Sequence, residues 1–207
     1  MQFLARSHWI FDLDGTLTKP VHDFDAIRAQ LGLPGGVGTL EGLDQLPAAE
    51  RPALMEKLNQ IGWEYALRSE LQEGVREFLE ALCASGCRLG VVTRNNRPNL
   101  DESLRRIACE DLFPPEVRLS RDDPPAKPAP DPLLRLLAQW QADAGDAVMV
   151  GDVIYDLQAG RAAGTATLYL DPDGDGPHGA WADLRFSCWL RLAELRASAL
   201  SERGASA

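Results

Sequence analysis

Five short apolar runs break the chain at intervals, and each stops at a polar or glycine-bearing turn. His8-Trp9-Ile10-Phe11 runs into Asp12-Leu13-Asp14-Gly15-Thr16, and Leu89-Gly90-Val91-Val92 into Thr93. Val117-Arg118-Leu119 leads to Ser120, Ala147-Val148-Met149-Val150 to Gly151, and Thr167-Leu168-Tyr169-Leu170 to Asp171. Runs of this length bounded by turn residues predict buried strands. Between them the apolar spacing changes to three and four, as in Val75, Phe78, Leu79, Leu82 and in Leu133, Leu136, Leu137, Trp140, which predicts helices. Alternating strands and helices predict an α/β fold, a Rossmann-like parallel sheet core with helices on both faces. In such sheets ligands bind beyond the carboxyl ends of the strands, so the polar residues that end these runs should converge.

Residues 18–72 break the alternation. They hold helical fragments (Phe24, Ile27, Leu31; Leu54, Leu58, Ile61) and no convincing strand, which predicts a small α-helical insertion that returns to the core at Glu73-Gly74. The expected organisation is a core of residues 1–17 and 73–207 with the insertion at 18–72. The tail after Arg203 is expected to fray.

Charge and cysteine usage narrow the partners. Across 207 residues, 21 Lys and Arg face 31 Asp and Glu, a formal charge of −10 that disfavours nucleic acid and anionic membranes. Cys83, Cys87, Cys109 and Cys188 form no CxxC pair and have few histidine companions, so they are expected to be reduced core thiols. No apolar stretch approaches the roughly 18 residues of a membrane span. A soluble cytoplasmic protein is expected, and nothing in the sequence sets an oligomeric state.

The strand ends carry the candidate chemistry. Asp12 and Asp14 stand two apart, which directs both to one side; alone, such a pair is more at home as turn caps. Gly151-Asp152-Val153-Ile154-Tyr155-Asp156 has its own structural account, with Asp152 as N-cap and Asp156 as a first-turn acid of the next helix. Up to four carboxylates at one crevice are costly without a cation, and an all-oxygen set suits Mg²⁺. Thr93, followed by Arg94 and Asn95, offers a hydroxyl and backbone amides to an anionic oxygen. Lys127 lies among five prolines between Asp122 and Pro132 and is either a solvated charge or a fixed point charge against phosphate and carboxylates.

In this order the four segments resemble the haloacid dehalogenase superfamily of phosphohydrolases, over nearly the whole chain. Asp156-Leu-Gln-Ala-Gly160-Arg-Ala-Ala-Gly164 also resembles the helix that follows that family's metal motif. The resemblance implies Asp12 as nucleophile and Asp14 as general acid and base. Mg²⁺ would be held by Asp12, the Asp14 main-chain carbonyl and Asp152, with Asp156 supporting from behind. Thr93, Arg94 and Lys127 would bind phosphate, and 18–72 would be a helical cap. Arg94 departs from the small or amide residue expected after the threonine. The implied activity is hydrolysis of a small phosphorylated metabolite, with a phosphomutase as the alternative and a metal- or phosphate-binding protein behind it.

Other motifs lead elsewhere. Asp171-Pro-Asp173-Gly-Asp175-Gly176 imitates a calcium loop but reaches Ala182 where a glutamate is needed, so a turn is expected. Gly32, Gly35, Gly36 and Gly38 lack the Lys-Ser/Thr of a phosphate loop and predict a flexible loop in the insertion. His22 is placed to reach the crevice from the start of the insertion. The five tryptophans are expected to pack rather than stack on bases.

Overall fold

The computed structural model describes residues 1–205. Six strands form one sheet: β1 (His8–Phe11), β2 (Arg88–Val92), β3 (Arg118–Leu119), β4 (Ala147–Gly151), β5 (Ala166–Leu170) and β6 (Leu184–Phe186). Their order is β3-β2-β1-β4-β5-β6 and every pairing is parallel. The five strands expected are present. β6 is an addition: with three residues, one of them an exposed arginine, it carries no legible apolar run.

Eight α-helices accompany the sheet: α1 (Phe24–Leu31), α2 (Thr39–Asp44), α3 (Arg51–Ala66), α4 (Val75–Ala84), α5 (Arg97–Arg106), α6 (Asp131–Trp140), α7 (Ile154–Ala163) and α8 (Trp189–Ala205). The chain winds from β1 outward to β3, then crosses back to β4 and winds the other way. Right-handed crossovers therefore put α4 and α5 on one face and α6 and α7 on the other. α8 covers the first face beside α4, sealing Trp189 against Phe11, Phe78 and Phe186. Because both faces are covered, strand residues such as Trp9, Ile10, Phe11 and Val148 are fully buried. α8 runs through Ala205; the remainder of the tail expected to fray after Arg203, Ser206 and Ala207, lies outside the described residues.

β1 lies between β2 and β4, where the winding reverses. Phe11 pairs with both Val91 and Val150, and the Asp12 amide donates to the Val150 carbonyl at 2.9 Å. The residues after β1, β2 and β4 thus emerge together at the switch point, the position at which such sheets bind ligands.

Residues 18–72 contribute α1, α2 and α3, which bury an apolar cluster of their own: Ile27, Leu31, Leu33 and Leu43, flanked by Leu54, Leu58 and Ile61. Two adjacent chain passes tie the segment to the core, with Thr18 bridging Leu71 antiparallel and the Lys19 amide donating to the Glu70 carbonyl at 2.9 Å. α3 lies along α5, where the Asn99 side chain donates to the Asn59 carbonyl at 3.3 Å. The cysteines are all free, but only Cys109 is buried; Cys83 and Cys188 are exposed, because they fall on the outer positions of α4 and the turn before α8. The tryptophans divide too: Trp9, Trp140 and Trp189 pack inside, while Trp63 and Trp181 stay partly exposed.

Candidate active site

The turn after β1 presents two carboxylates to different neighbours. Asp12 is 6% exposed and its Oδ1 lies 2.5 Å from Lys127 Nζ. Asp14 faces the turn after β2, where the Thr93 hydroxyl and the Asn95 side-chain amide donate to its Oδ2 at 3.2 and 3.4 Å. His22 stands beside it, with Nε2 at 3.9 Å from Oδ1 and its ring against Tyr65. Directly after the second acid, Gly15 has φ +87°, and a Cβ there would meet Asp152 Oδ2 at 2.3 Å. The position therefore demands glycine twice over, for its backbone and for its neighbour.

Lys127 is 2% exposed, and its ammonium bridges Asp12 and Asp156 at 2.5 and 2.6 Å. Of the two readings open in the sequence, the solvated charge is overturned. The proline-rich segment delivers the lysine inward through a series of turns before α6. Burial alone would lower this ammonium, but Asp12 and Asp156 outweigh it and hold its pKa up.

Asp152 is not the N-cap that its structural account would make it. α7 begins at Ile154, and it is Asp156 whose Oδ2 accepts the Val153 amide, at 3.2 Å. Asp156 thus closes the helix N-terminus with one oxygen and holds Lys127 with the other. Asp152 is left free to face Asp12, and its Oδ1 accepts the Thr16 hydroxyl at 2.9 Å.

Oxygens of Asp12, Asp152 and Asp156 all lie within 4.8 Å of one another. One lysine does not offset that crowding. Burial, reinforced by Asp156, pushes the Asp152 carboxyl up to about 7 despite the Thr16 hydrogen bond and Lys127. Burial likewise raises Asp12 well above the carboxylate range, with Lys127 opposing and Asp156, Asp152 and Asp14 adding to the rise. A buried all-oxygen donor set with surplus negative charge fits a hard divalent cation.

Above these residues opens a cavity of about 480 Å³, floored by Asp12, Asp14, Thr93 and Lys127 and roofed by Phe24, Ile27, Leu58 and Ile61 of the helical segment. His22 and the loop Gly36-Val37-Gly38 also line it. Arg94 borders it as well, but its guanidinium is engaged by Glu41 at 2.5 Å and lies over the Tyr155 ring at 3.7 Å. The structure therefore brings Asp12, Asp14, Thr93, Lys127, Asp152 and Asp156 into one site and aims Arg94 at the helical segment. Asp171 accepts the Gly174 and Gly176 amides, the turn expected there in place of a calcium loop.

Several contributors had little sequence signal. Thr16 lies inside the Asp-Leu-Asp-Gly-Thr run, where its hydroxyl was readable as a ligand to a carboxylate. Gln72 had none: it donates to the carbonyls of Gly15, Thr16 and Thr18 at 2.6, 3.0 and 3.1 Å, pinning the turn from the far end of the insertion. Asn95, Glu41, Arg121 and Tyr155 become site residues only through the fold.

A family model described as haloacid dehalogenase-like hydrolase matches residues 8–164. The chain is 31% identical over 177 residues to a haloacid dehalogenase-like hydrolase domain-containing protein of Arabidopsis thaliana, covering 80% of this chain and 71% of the relative. It is 30% identical over 199 residues to the N-acetylmuramic acid 6-phosphate phosphatase of Pseudomonas aeruginosa, covering 82% and 85%. Among solved structures, a hydrolase from Pseudomonas syringae superposes with TM-score 0.76 at 22% identity over 92% of this chain and 98% of the other. A putative phosphoglycolate phosphatase from Lactobacillus plantarum does so with TM-score 0.71 at 25% identity over 92% and 99%.

Proposed function

The chain belongs to the haloacid dehalogenase-like hydrolase family, and from that premise we propose that it is a Mg²⁺-dependent phosphatase acting on a small phosphomonoester through an aspartyl-phosphate on Asp12. The observation that carries this reading is the buried clamp of Lys127 on Asp12 and Asp156 at the floor of a cavity that Asp14 also lines. The N-acetylmuramic acid 6-phosphate phosphatase among the relatives is named for hydrolysis of a phosphomonoester and the PpaX relatives for hydrolysis of pyrophosphate, which supports a phosphoric monoester hydrolase here.

Asp12 supplies the attacking carboxylate oxygen: a new P–O bond forms to it as the ester P–O bond breaks. Lys127 then changes partner in part, from screening Asp12 to meeting a phosphoryl oxygen, and the Thr93 hydroxyl binds another. Asp14 gives a proton to the departing alcohol oxygen. It then takes one from the water that attacks the aspartyl-phosphate, which releases phosphate and restores Asp12. Asp12, Asp152 and the Asp14 main-chain carbonyl would hold Mg²⁺, with Asp156 behind them fixing Lys127. When bound, the cation supplies positive charge to the phosphoryl oxygens and relieves the crowded carboxylates.

Residues 18–72 act as the cap in this reading. They roof the cavity with apolar side chains, exclude bulk water and select the ester's alcohol portion. The reading is tested by phosphate release from a panel of phosphorylated metabolites with Mg²⁺ and with excess EDTA. Turnover of one or more that disappears in EDTA and returns with Mg²⁺ is expected. Undiminished turnover in EDTA would overturn the metal assignment, and no turnover of any ester would overturn the phosphatase.

A further inference from the structure

The ion pair between Arg94 and Glu41 is incomplete on both sides. Glu41 Oε1 lies 2.5 Å from Arg94 Nη2, yet Arg94 Nη1 and Glu41 Oε2 are shielded from solvent and have no hydrogen-bond partner among the described residues. A guanidinium and a carboxylate in open surroundings meet edge to edge through two parallel bonds. Polar atoms buried without partners are costly. This contact is therefore a compromise: the Tyr155 ring holds the guanidinium plane, and the short helix α2 brings Glu41 only part of the way.

The surroundings favour an anion. Arg121 lines the same cavity and donates to the Arg94 carbonyl at 3.2 Å. Burial lowers its pKa, and the neighbouring Arg94 charge adds to the effect against Asp122, which marks a cationic corner short of counter-charge. Arg28, from α1, also borders the cavity; its guanidinium pairs with Asp25 through Nη2, and its Nε is shielded and has no partner among the described residues. Lys127, by contrast, stands between Asp12 and Asp156, at the phosphate end of the proposed site.

We propose that Arg94 is a specificity-determining residue that binds a carboxylate on the substrate, distal to the phosphate, and that Glu41 holds that place until substrate enters. The inference rests on the phosphatase reading and adds the substrate class: a small phosphomonoester of a carboxylic acid. A carboxylate is the commitment because the group resting on Arg94 is one, and because the guanidinium has a planar edge with one donor still unused. Glu41, whose side chain is 39% exposed, has a route to water when displaced. The substrate carboxylate thus competes with a weaker copy of itself, so the two partners of this ion pair should affect selectivity in opposite directions.

The test compares kcat/KM for phosphoglycolate and its longer homologues with the alkyl phosphates of matching length, in wild type, Arg94→Gln, Arg94→Lys and Glu41→Gln. Wild type is expected to prefer the acid of the fitting length. Arg94→Gln should lower the acid-to-alkyl ratio roughly tenfold or more, the usual effect of losing a charge-assisted bond. Arg94→Lys should recover only part of it, since an ammonium lacks the fork. Glu41→Gln should raise the ratio. A ratio equal in all four proteins, or lowered by Glu41→Gln as much as by Arg94→Gln, would overturn the proposal. Calorimetric binding of the same pairs to Asp12→Asn, alone and combined with Arg94→Gln, separates the two levels of inference. A binding preference for the acid that Arg94→Gln removes, in a chain whose wild type hydrolyses none of the esters, would overturn the phosphatase and keep the carboxylate subsite. Turnover without any such preference would do the reverse.

Discussion

Asp12 and Asp14 differ in what surrounds them rather than in what they are. Asp12 is enclosed and held by an ammonium, whereas Asp14 lines the cavity and is held by neutral donors; in the proposed reaction the first attacks and the second passes protons. Asp12→Asn keeps the shape and removes the attacking oxygen, so phosphate release from the best substrate should fall by at least about 10³-fold. Asp14→Asn should cost about 10²–10⁴-fold. That loss should be smaller on aryl phosphates, whose leaving groups need less protonation, and an equal loss on alkyl and aryl esters would count against the acid role. Lys127 answers a different question. Replacing it by Met leaves two buried carboxylates facing each other, which should cost about 3–5 kcal/mol of stability in chemical denaturation without metal. Mg²⁺ should return part of that loss, whereas an unchanged denaturation midpoint would show that the clamp contributes little.

At the scale of elements, legibility followed burial. The buried strands β1, β2, β4 and β5 announced themselves as apolar runs, and the polar residues that end them were legible with them. β6 was not legible because one face of an edge strand is open, and Arg185 sits where an apolar residue would have been diagnostic. Lys127 was ambiguous for the converse reason: proline-rich composition signals exposure, and only the fold shows that these turns carry the lysine inward. Gln72 and Glu41 were invisible, since each acts through a partner far away in sequence. The helical insertion was readable as a break in alternation, and its separate apolar cluster now supports treating it as a unit. Replacing residues 20–69 by a short Gly/Ser linker, between the chain passes bridged at Thr18 and Leu71, should leave the core folded by circular dichroism. It should lower kcat/KM for a small metabolite more than for an activated aryl phosphate, which depends less on closure. Proportional losses on both would favour a merely structural insertion.

The crowded carboxylates of the site should make the stability of the whole fold depend on pH. The carboxyl of Asp152 is raised to about 7 in the fold, chiefly by burial, while an unfolded aspartate titrates near 3.9. Between those values the native state holds a proton that the unfolded state has released, so stability falls as pH rises through the window and levels off above it. The slope is about 1.4 kcal/mol per pH unit for each proton so retained, and Asp12 is shifted in the same direction. Glu102 works oppositely: Arg105 and Arg106 lower it to about 2, so its contribution is lost only in stronger acid. The metal-free protein should therefore melt higher at about pH 5 than at about pH 7. Saturating Mg²⁺, which binds the ionised carboxylates, should flatten or reverse that order. Differential scanning calorimetry in EDTA and in Mg²⁺ at both pH values would measure it. Asp152→Asn should remove part of the metal-free slope, because the amide has no proton to retain. A metal-free melting temperature that rises with pH across this window would show that the carboxylates at the switch point are already balanced within the fold, and that no cation is needed to hold them together.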